Sequence, residues 1–141
     1  VPVIQQIRCL RSGSAVTLAV LGTLAGPALA AAGDLAGDGI DAEVLSITCA
    51  KPLDLAAMIR SVRRTGHVVF AEESLMNGGL AQATLPGLLA ALPGVPFCQL
   101  GLDDRPLCQG SRDQLLREQH LDTAAIVRAV KALLDKTGKT G

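Results

Sequence analysis

The sequence predicts an α/β fold of three layers, α/β/α, with a mainly parallel sheet between two layers of helices. Three observations carry that prediction. Short, nearly unbroken apolar runs, residues 16–21 foremost, have the character of strands covered on both faces. Between such runs lie longer segments with apolar residues at helical spacing, such as Leu55, Met58, Ile59 and Val62. Hydrophobic residues make up 49% of the chain although Phe70 and Phe97 are its only aromatics, so Leu, Val, Ile and Ala must fill the core. Strands that alternate with helices in this way pair mostly in parallel and place helices on both faces.

In chain order, residues 3–10 read as a first strand, ending at the turn Arg11-Ser-Gly-Ser14. Residues 16–21 are the second strand. Gly22-Thr23 turns into a helix that tolerates Pro27 in its first turn and is ended by Gly39. Residues 41–47 are the third strand. Lys51-Pro52-Leu53-Asp54 reads as a helix entry, where Pro52 suits the first turn and Asp54 complements the dipole. Thr65-Gly66 closes that helix. Residues 67–71 are a further buried strand, Gly78-Gly79 opens the next helix, Pro86-Gly87 predicts a kink in it, and residues 95–100 are the last strand. Two helices finish the chain. Ser111 and Gln114 make a capping-box pair ahead of Leu115 and Leu116. Asp122 caps the second helix, whose Ile126, Val127, Val130, Leu133 and Leu134 form one broad apolar face. With no internal repeat and no boundary, residues 1–141 are expected to be a single domain with a frayed tail at 137–141.

At 141 residues the chain can bury a core without staples. Lys plus Arg and Asp plus Glu balance at 13 each, so no net field recruits nucleic acid or an anionic membrane. The absence of Tyr and Trp removes the stacking platforms of single-strand binders. Cys9, Cys49, Cys98 and Cys108 contain no Cys-x-x-Cys pair, and neither His67 nor His120 stands near them at ligand spacing. This predicts no metal site, and free, mostly buried thiols in a reducing compartment. Arg8 and Arg11 followed by an uncharged stretch from Ser12 to Gly33 imitate a secretory signal. Gly22-Thr23 and Gly26-Pro27 interrupt that stretch, and a strand followed by a helix explains the same letters. The expected location is cytoplasmic, without a membrane span.

The last third of the chain, Gly101-Leu-Asp-Asp-Arg-Pro-Leu-Cys-Gln-Gly-Ser111, then Leu115-Leu116 and His120-Leu-Asp-Thr-Ala-Ala-Ile126, resembles the tail of 1-deoxy-D-xylulose-5-phosphate synthases. Ser12-Gly-Ser-Ala-Val-Thr-Leu18 with Gly22-Thr23 is similar to the Val-Thr-Leu strand of that family and its following Gly-Thr/Ser. Gly39-Ile-Asp-Ala-Glu-Val44, Lys51-Pro-Leu-Asp54 and Val69-Phe-Ala-Glu-Glu73 with Gly78-Gly79 come in the same order. Ser61-Val-Arg-Arg-Thr-Gly66 is more similar to the β-subunits of pyruvate-dehydrogenase-type enzymes. The resemblance covers about residues 8–135 and identifies the chain as similar to the transketolase C-terminal domain. It implies a five-stranded sheet in the order 1-3-2-4-5 with strand 1 antiparallel. Departures are visible: Ser46 and Thr48 replace an Asp-x-Arg, Asp103-Asp104-Arg105-Pro106 replaces Pro-Asp-x-Phe, and Ala81 replaces the last glycine of Gly-Gly-x-Gly.

By resemblance the parent enzyme is a transferase of isoprenoid biosynthesis that uses thiamine diphosphate and Mg2+. It decarboxylates pyruvate and transfers the two-carbon unit to glyceraldehyde 3-phosphate. The resemblance places cofactor and metal between the other two domains, so no catalytic, cofactor-binding or metal-binding residue is expected in this chain. Its implied role is assembly with the other domains or subunits of the parent, with self-association into a dimer. Alternatives are a C-terminal subunit of a split transketolase or pyruvate-dehydrogenase-type enzyme, or a regulatory module that binds a small anion.

The implied strand order makes the anion reading specific. Ligands in open α/β sheets bind beyond the carboxyl ends of the strands where the order reverses, here between the second and fourth strands. Gly22, Thr23, Gly78 and Gly79 stand at that edge, where helix N-termini favour anions. Glu72 and Glu73 at the same edge oppose a phosphate. They leave a strand consecutively and point to opposite faces, so they do not flank one reacting bond. Lys51, Asp54, Glu72 and Glu73 are therefore read as capping or domain-contact residues. His67 and His120 are read as ordinary, partly exposed histidines.

Overall fold

The computed structural model describes residues 7–21, 24–47, 54–75, 80–102 and 123–136. Its strands are β1 (Ile7–Arg11), β2 (Val16–Leu21), β3 (Ala42–Ile47), β4 (Val68–Leu75) and β5 (Phe97–Leu102). Its helices are α1 (Ala25–Gly37), α2 (Leu55–Thr65), α3 (Leu80–Ala91) and α4 (Thr123–Lys136). The five strands make one sheet in the order β1-β3-β2-β4-β5. β2 runs at the centre, parallel to β3 with Val16 opposite Ala42, and parallel to β4 with Thr17 opposite Val68. β5 continues the parallel set beside β4, and β1 pairs antiparallel with β3, Ile7 opposite Ile47.

Alternation along the central strands sorts their side chains onto two faces. Leu18, Val20, Val44 and Val69 meet α1 and α4, while Ala19, Leu45 and Phe70 meet Met58 and Val62 of α2 and Leu88 of α3. Ala28, Ala31 and Ala32 on the buried side of α1 are small, which brings that helix close to the sheet. This is how an aliphatic sequence fills a core without large rings.

The helix ends follow local chemistry. α1 finishes in a Schellman motif: Ile40 N–H donates to Leu35 O at 2.9 Å and Gly39 N–H to Ala36 O at 3.1 Å. Gly39 holds φ at 80°, the left-handed region that a Cβ disfavours. Asp54 is the N-cap of α2, its Oδ1 accepting from Ala57 N–H at 3.1 Å. Asp54 thus stands just outside the helix rather than in its first turn. α3 continues through Pro86. A Cβ on Gly87 would lie 2.4 Å from Leu55 Cδ2, so any larger residue there would have to turn the Leu55 side chain aside. At Gly13 an added Cβ would lie 2.3 Å from the Ala42 backbone carbon, so the β1–β2 turn also depends on glycine.

Several boundaries differ from expectation. β1 continues to Arg11, which pairs with Val44 across an irregularity after Cys9. β4 extends to Leu75 across a register shift against β5. β5 begins at Phe97 because Val95 N–H is spent on Leu92 O at 3.2 Å, closing the turn after α3. His67 is not partly exposed: it is 2% exposed, with Nδ1 3.1 Å from Ala15 O. The expected helix around Leu115 and Leu116, the Asp122 cap, His120, residues 3–6 and the tail at 137–141 lie outside the described residues. No helix among the described residues is long and apolar enough to cross a membrane.

Candidate functional site

The strand order reverses between β2 and β4, whose carboxyl ends therefore border the crevice where open α/β sheets bind ligands. The residues expected there, Gly22, Thr23, Gly78 and Gly79, lie outside the described residues, as does Lys51 of the capping or domain-contact set. Glu72 and Asp54 are described. Glu72 shares the face of Val68 and Phe70 and turns toward α3, where it is 2% exposed. Its carboxylate accepts from Leu80 N–H at 2.5 Å and from Ala81 N–H at 3.4 Å. These are amides of the first turn of α3, which have no partner within the helix. Glu72 therefore supplies, from inside the chain, the negative charge that this helix start favours. A bound phosphate would have to compete with it for both amides. Asp54 does the same for α2 from an exposed position. Glu73 follows Glu72 within β4.

A second polar cluster sits at the opposite, amino edge of the parallel strands. Its residues stand in the sequence only as members of three family-like stretches, around Thr17, around Glu43 and at Ser61–Gly66, with no role read for them. Glu43 of β3 is 3% exposed, and its carboxylate accepts from Ser61 Oγ and Arg64 Nη2 of α2. Thr17 of β2 brings Oγ1 within 3.3 Å of Glu43 Oε1, 3.1 Å of Ser61 Oγ and 2.8 Å of Thr65 Oγ1. Thr65 Oγ1 in turn donates to His67 O at 3.1 Å. Cys9 of β1 places Sγ 3.9 Å from Glu43 Oε2. No buried side-chain nitrogen or oxygen lacks a partner among the described residues. The signal that marks this cluster is a polar residue on a strand buried on both faces. Thr17 in Val-Thr-Leu-Ala-Val-Leu and Glu43 in Ala-Glu-Val-Leu-Ser-Ile each demand a partner from the helix above.

Among the described residues, no three His, Cys, Asp or Glu side chains come together in a way that could hold a metal ion. Cys9 and Cys98 are free thiols, but Cys9 is exposed and Cys98 only half-buried, a correction to the expectation of buried thiols. A thiol needs partners on several sides to be buried, and β1 and β5 are the edge strands of the sheet. Burial pushes the Cys98 thiol pKa up, and the Lys136 ammonium partly offsets that rise. Cys49 and Cys108 lie outside the described residues. The geometry at both edges is that of capping and cross-linking between elements.

The family model described as transketolase, C-terminal domain, matches residues 5–126. The chain belongs to that family. A 1-deoxy-D-xylulose-5-phosphate synthase of Gloeobacter violaceus is 36% identical over 125 residues, covering 89% of this chain and 20% of that protein. 1-deoxy-D-xylulose-5-phosphate synthase 1 of Geobacter sulfurreducens is 38% identical, covering 92% of this chain and 20% of the synthase. The 6-deoxy-6-sulfo-D-fructose transketolase subunit SqwH of a Clostridium species is 39% identical, covering 90% of this chain and 39% of the subunit. Among solved structures, a split gene transketolase described as an inactive beta4 tetramer superposes with a TM-score of 0.83 at 32% identity. That match covers 92% of this chain and 42% of the other. The transketolase-type C-terminal domain thus spans about a fifth of the length of the synthases it matches.

Proposed function

We propose that this chain is the C-terminal assembly domain of a cytoplasmic, thiamine-diphosphate-dependent enzyme of the 1-deoxy-D-xylulose-5-phosphate synthase type. The parent reaction joins pyruvate to glyceraldehyde 3-phosphate with loss of CO2. One observation carries the reading: nearly the whole chain aligns with about a fifth of much longer synthases. Its own role is to pack on the remaining domains or subunits and to help build a homo-oligomer. The subunit name of one relative and the tetramer of the solved split transketolase support a role in association.

Thiamine diphosphate and Mg2+ belong to the rest of the parent enzyme on this reading. The described residues do not fit a diphosphate: at the crevice edge, Glu72 already accepts from the first amides of α3. No step of the thiamine chemistry is assigned to this chain. A second reading, the C-terminal part of a split transketolase, is favoured by the larger shares covered in SqwH and in the solved split transketolase.

The test is an assay of the pure chain with thiamine diphosphate, Mg2+, pyruvate and glyceraldehyde 3-phosphate. No cofactor-dependent turnover is expected from the chain alone. Joined to the rest of its enzyme, it should support turnover of pyruvate. A complex that instead accepts ketose donors and refuses pyruvate establishes the split-transketolase reading. Turnover by the chain alone overturns the assembly role.

A further inference from the structure

α2 lies on the sheet with a buried side of mixed character: Met58 and Val62 are apolar, Ser61 and Thr65 are hydroxylated. Apolar contact is non-directional, so Met58 and Val62 by themselves tolerate small rotations and slides of the helix. The hydroxyls do not. Ser61 and Thr65 are four residues apart, one above the other on the same helix face. Both converge on the single hydroxyl of Thr17, at 3.1 Å and 2.8 Å. Ser61 and Arg64 close on Glu43 beside it.

Among the described residues the buried polar ones are Thr17, Glu43, Ser61, Thr65, His67, Glu72 and Thr84, and the first five all stand at this one end of α2. Thr84 offers the contrast on the neighbouring helix. Its Oγ1 donates to Leu80 O at 2.7 Å, within α3 itself.

We infer that the cluster of Glu43, Thr17, Ser61, Arg64 and Thr65 is a register lock that fixes the rotation and axial position of α2 over β2 and β3. Rotating the helix by one residue turns it through about 100° and carries both hydroxyls away from Thr17. Sliding it by one turn moves it about 5.4 Å and takes Arg64 off Glu43. The rotation, and a slide that takes Ser61 off Glu43 and sets Ala57 in its place, each leave the buried carboxylate short of donors, which proteins avoid strongly. The correct placement is therefore separated from its neighbours by polar satisfaction, beyond what the apolar surface supplies. The lock acts at the carboxyl end of α2, where Gly66 ends the helix with φ at 79°. The helix has 11 residues, so its Asp54-capped start is roughly 16 Å away, at the crevice edge of the sheet. Setting the register at one end thus sets the position of that start. This inference does not rest on the proposed enzyme.

The test is hydrogen exchange, read amide by amide, on the whole chain and on two variants. The first replaces the cluster with apolar residues of similar shape: Thr17→Val, Glu43→Leu, Ser61→Ala and Thr65→Val. Well-packed apolar replacements of buried polar groups are often neutral or stabilising. The melting temperature is therefore expected to stay within a few degrees, while amides of α2 exchange at least tenfold faster relative to those of β2 and β3. The second variant, Thr17→Val alone, removes only the shared hydroxyl and keeps the shape. It is expected to speed exchange in α2 severalfold with the sheet unchanged. It decides the question if the first variant fails to fold. Unchanged protection of α2, or equal loss across α2 and the sheet, overturns the lock.

Discussion

Glu72, at the carboxyl edge of the parallel strands, and Glu43, at the amino edge, are 2% and 3% exposed and face the same layer of helices. They are held by different kinds of donor. Glu72 accepts from two backbone amides at the start of α3. Glu43 accepts from hydroxyls and from the Arg64 guanidinium, whose side chain is 54% exposed. The difference lies in what happens when the carboxylate is taken away. A helix amide cannot turn to another acceptor, because its direction is set by the backbone. A hydroxyl can rotate, and Thr17, Ser61 and Thr65 already lie within reach of one another. Arg64 can hydrate where it stands.

The comparison is broken or kept by a pair of substitutions, and these give the largest expected effect. Glu72→Ala leaves two buried amides unmatched, each worth about 1–3 kcal/mol, so a loss of roughly 3 kcal/mol is expected. Glu43→Ala should cost about half as much, roughly 1–2 kcal/mol, because its former donors re-pair or meet water. Urea unfolding of both variants, with equal slopes, gives the ratio. A larger loss at Glu43 than at Glu72 would show that the hydroxyls do not rearrange.

Much of the fold was readable because each element carries its own signal. Val16–Leu21 reads as a buried strand from its apolar run, Gly39 and Gly66 mark helix ends, and the spacing of Leu55, Met58, Ile59 and Val62 marks α2 as a helix, with Met58 and Val62 on its buried side. Elements were found more reliably than their limits, as β5 shows: the turn after α3 takes Val95, and nothing in Val95 itself announces it. The strand order was legible only through family resemblance, since pairing joins residues as far apart as Ile7 and Ile47. The polar cluster was illegible for a related reason. Thr17 and Glu43 each ask for a polar partner from within a buried strand, but which partner becomes visible only when three elements converge. His67 was misjudged in the same way, because its partner Ala15 lies 52 residues earlier.

An intermediate effect is expected at the other capping acid. Asp54 does for α2 what Glu72 does for α3, with the same kind of acceptor but in contact with water. Asp54→Ala should cost about 1 kcal/mol, in the usual range for an N-cap, since water can reach the amide it frees. Asp54→Asn should recover most of that loss, because the side-chain oxygen remains. Thermal unfolding distinguishes the three chains. If Asp54→Ala equalled Glu72→Ala, burial would not be what separates the two caps.

The smallest effect concerns a titratable group that burial keeps neutral rather than one matched by donors. Cys98 on β5 is half-buried, and desolvation raises its pKa, with Lys136 opposing the rise. The unfolded chain therefore releases the Cys98 proton at lower pH than the folded chain does. Its contribution to stability is present below the unfolded thiol pKa, near 8.5, and is lost as pH rises through the folded value. Two readouts follow. Alkylation of Cys98 by iodoacetamide, followed by mass spectrometry, should reach half its maximal rate at a higher pH than for a thiol in an unfolded peptide. Lys136→Gln should move that midpoint higher still, since it removes the charge that favours the thiolate. The accompanying fall in stability above about pH 8.5 should vanish in Cys98→Ala. A midpoint that Lys136→Gln leaves unmoved would assign the shift to burial alone.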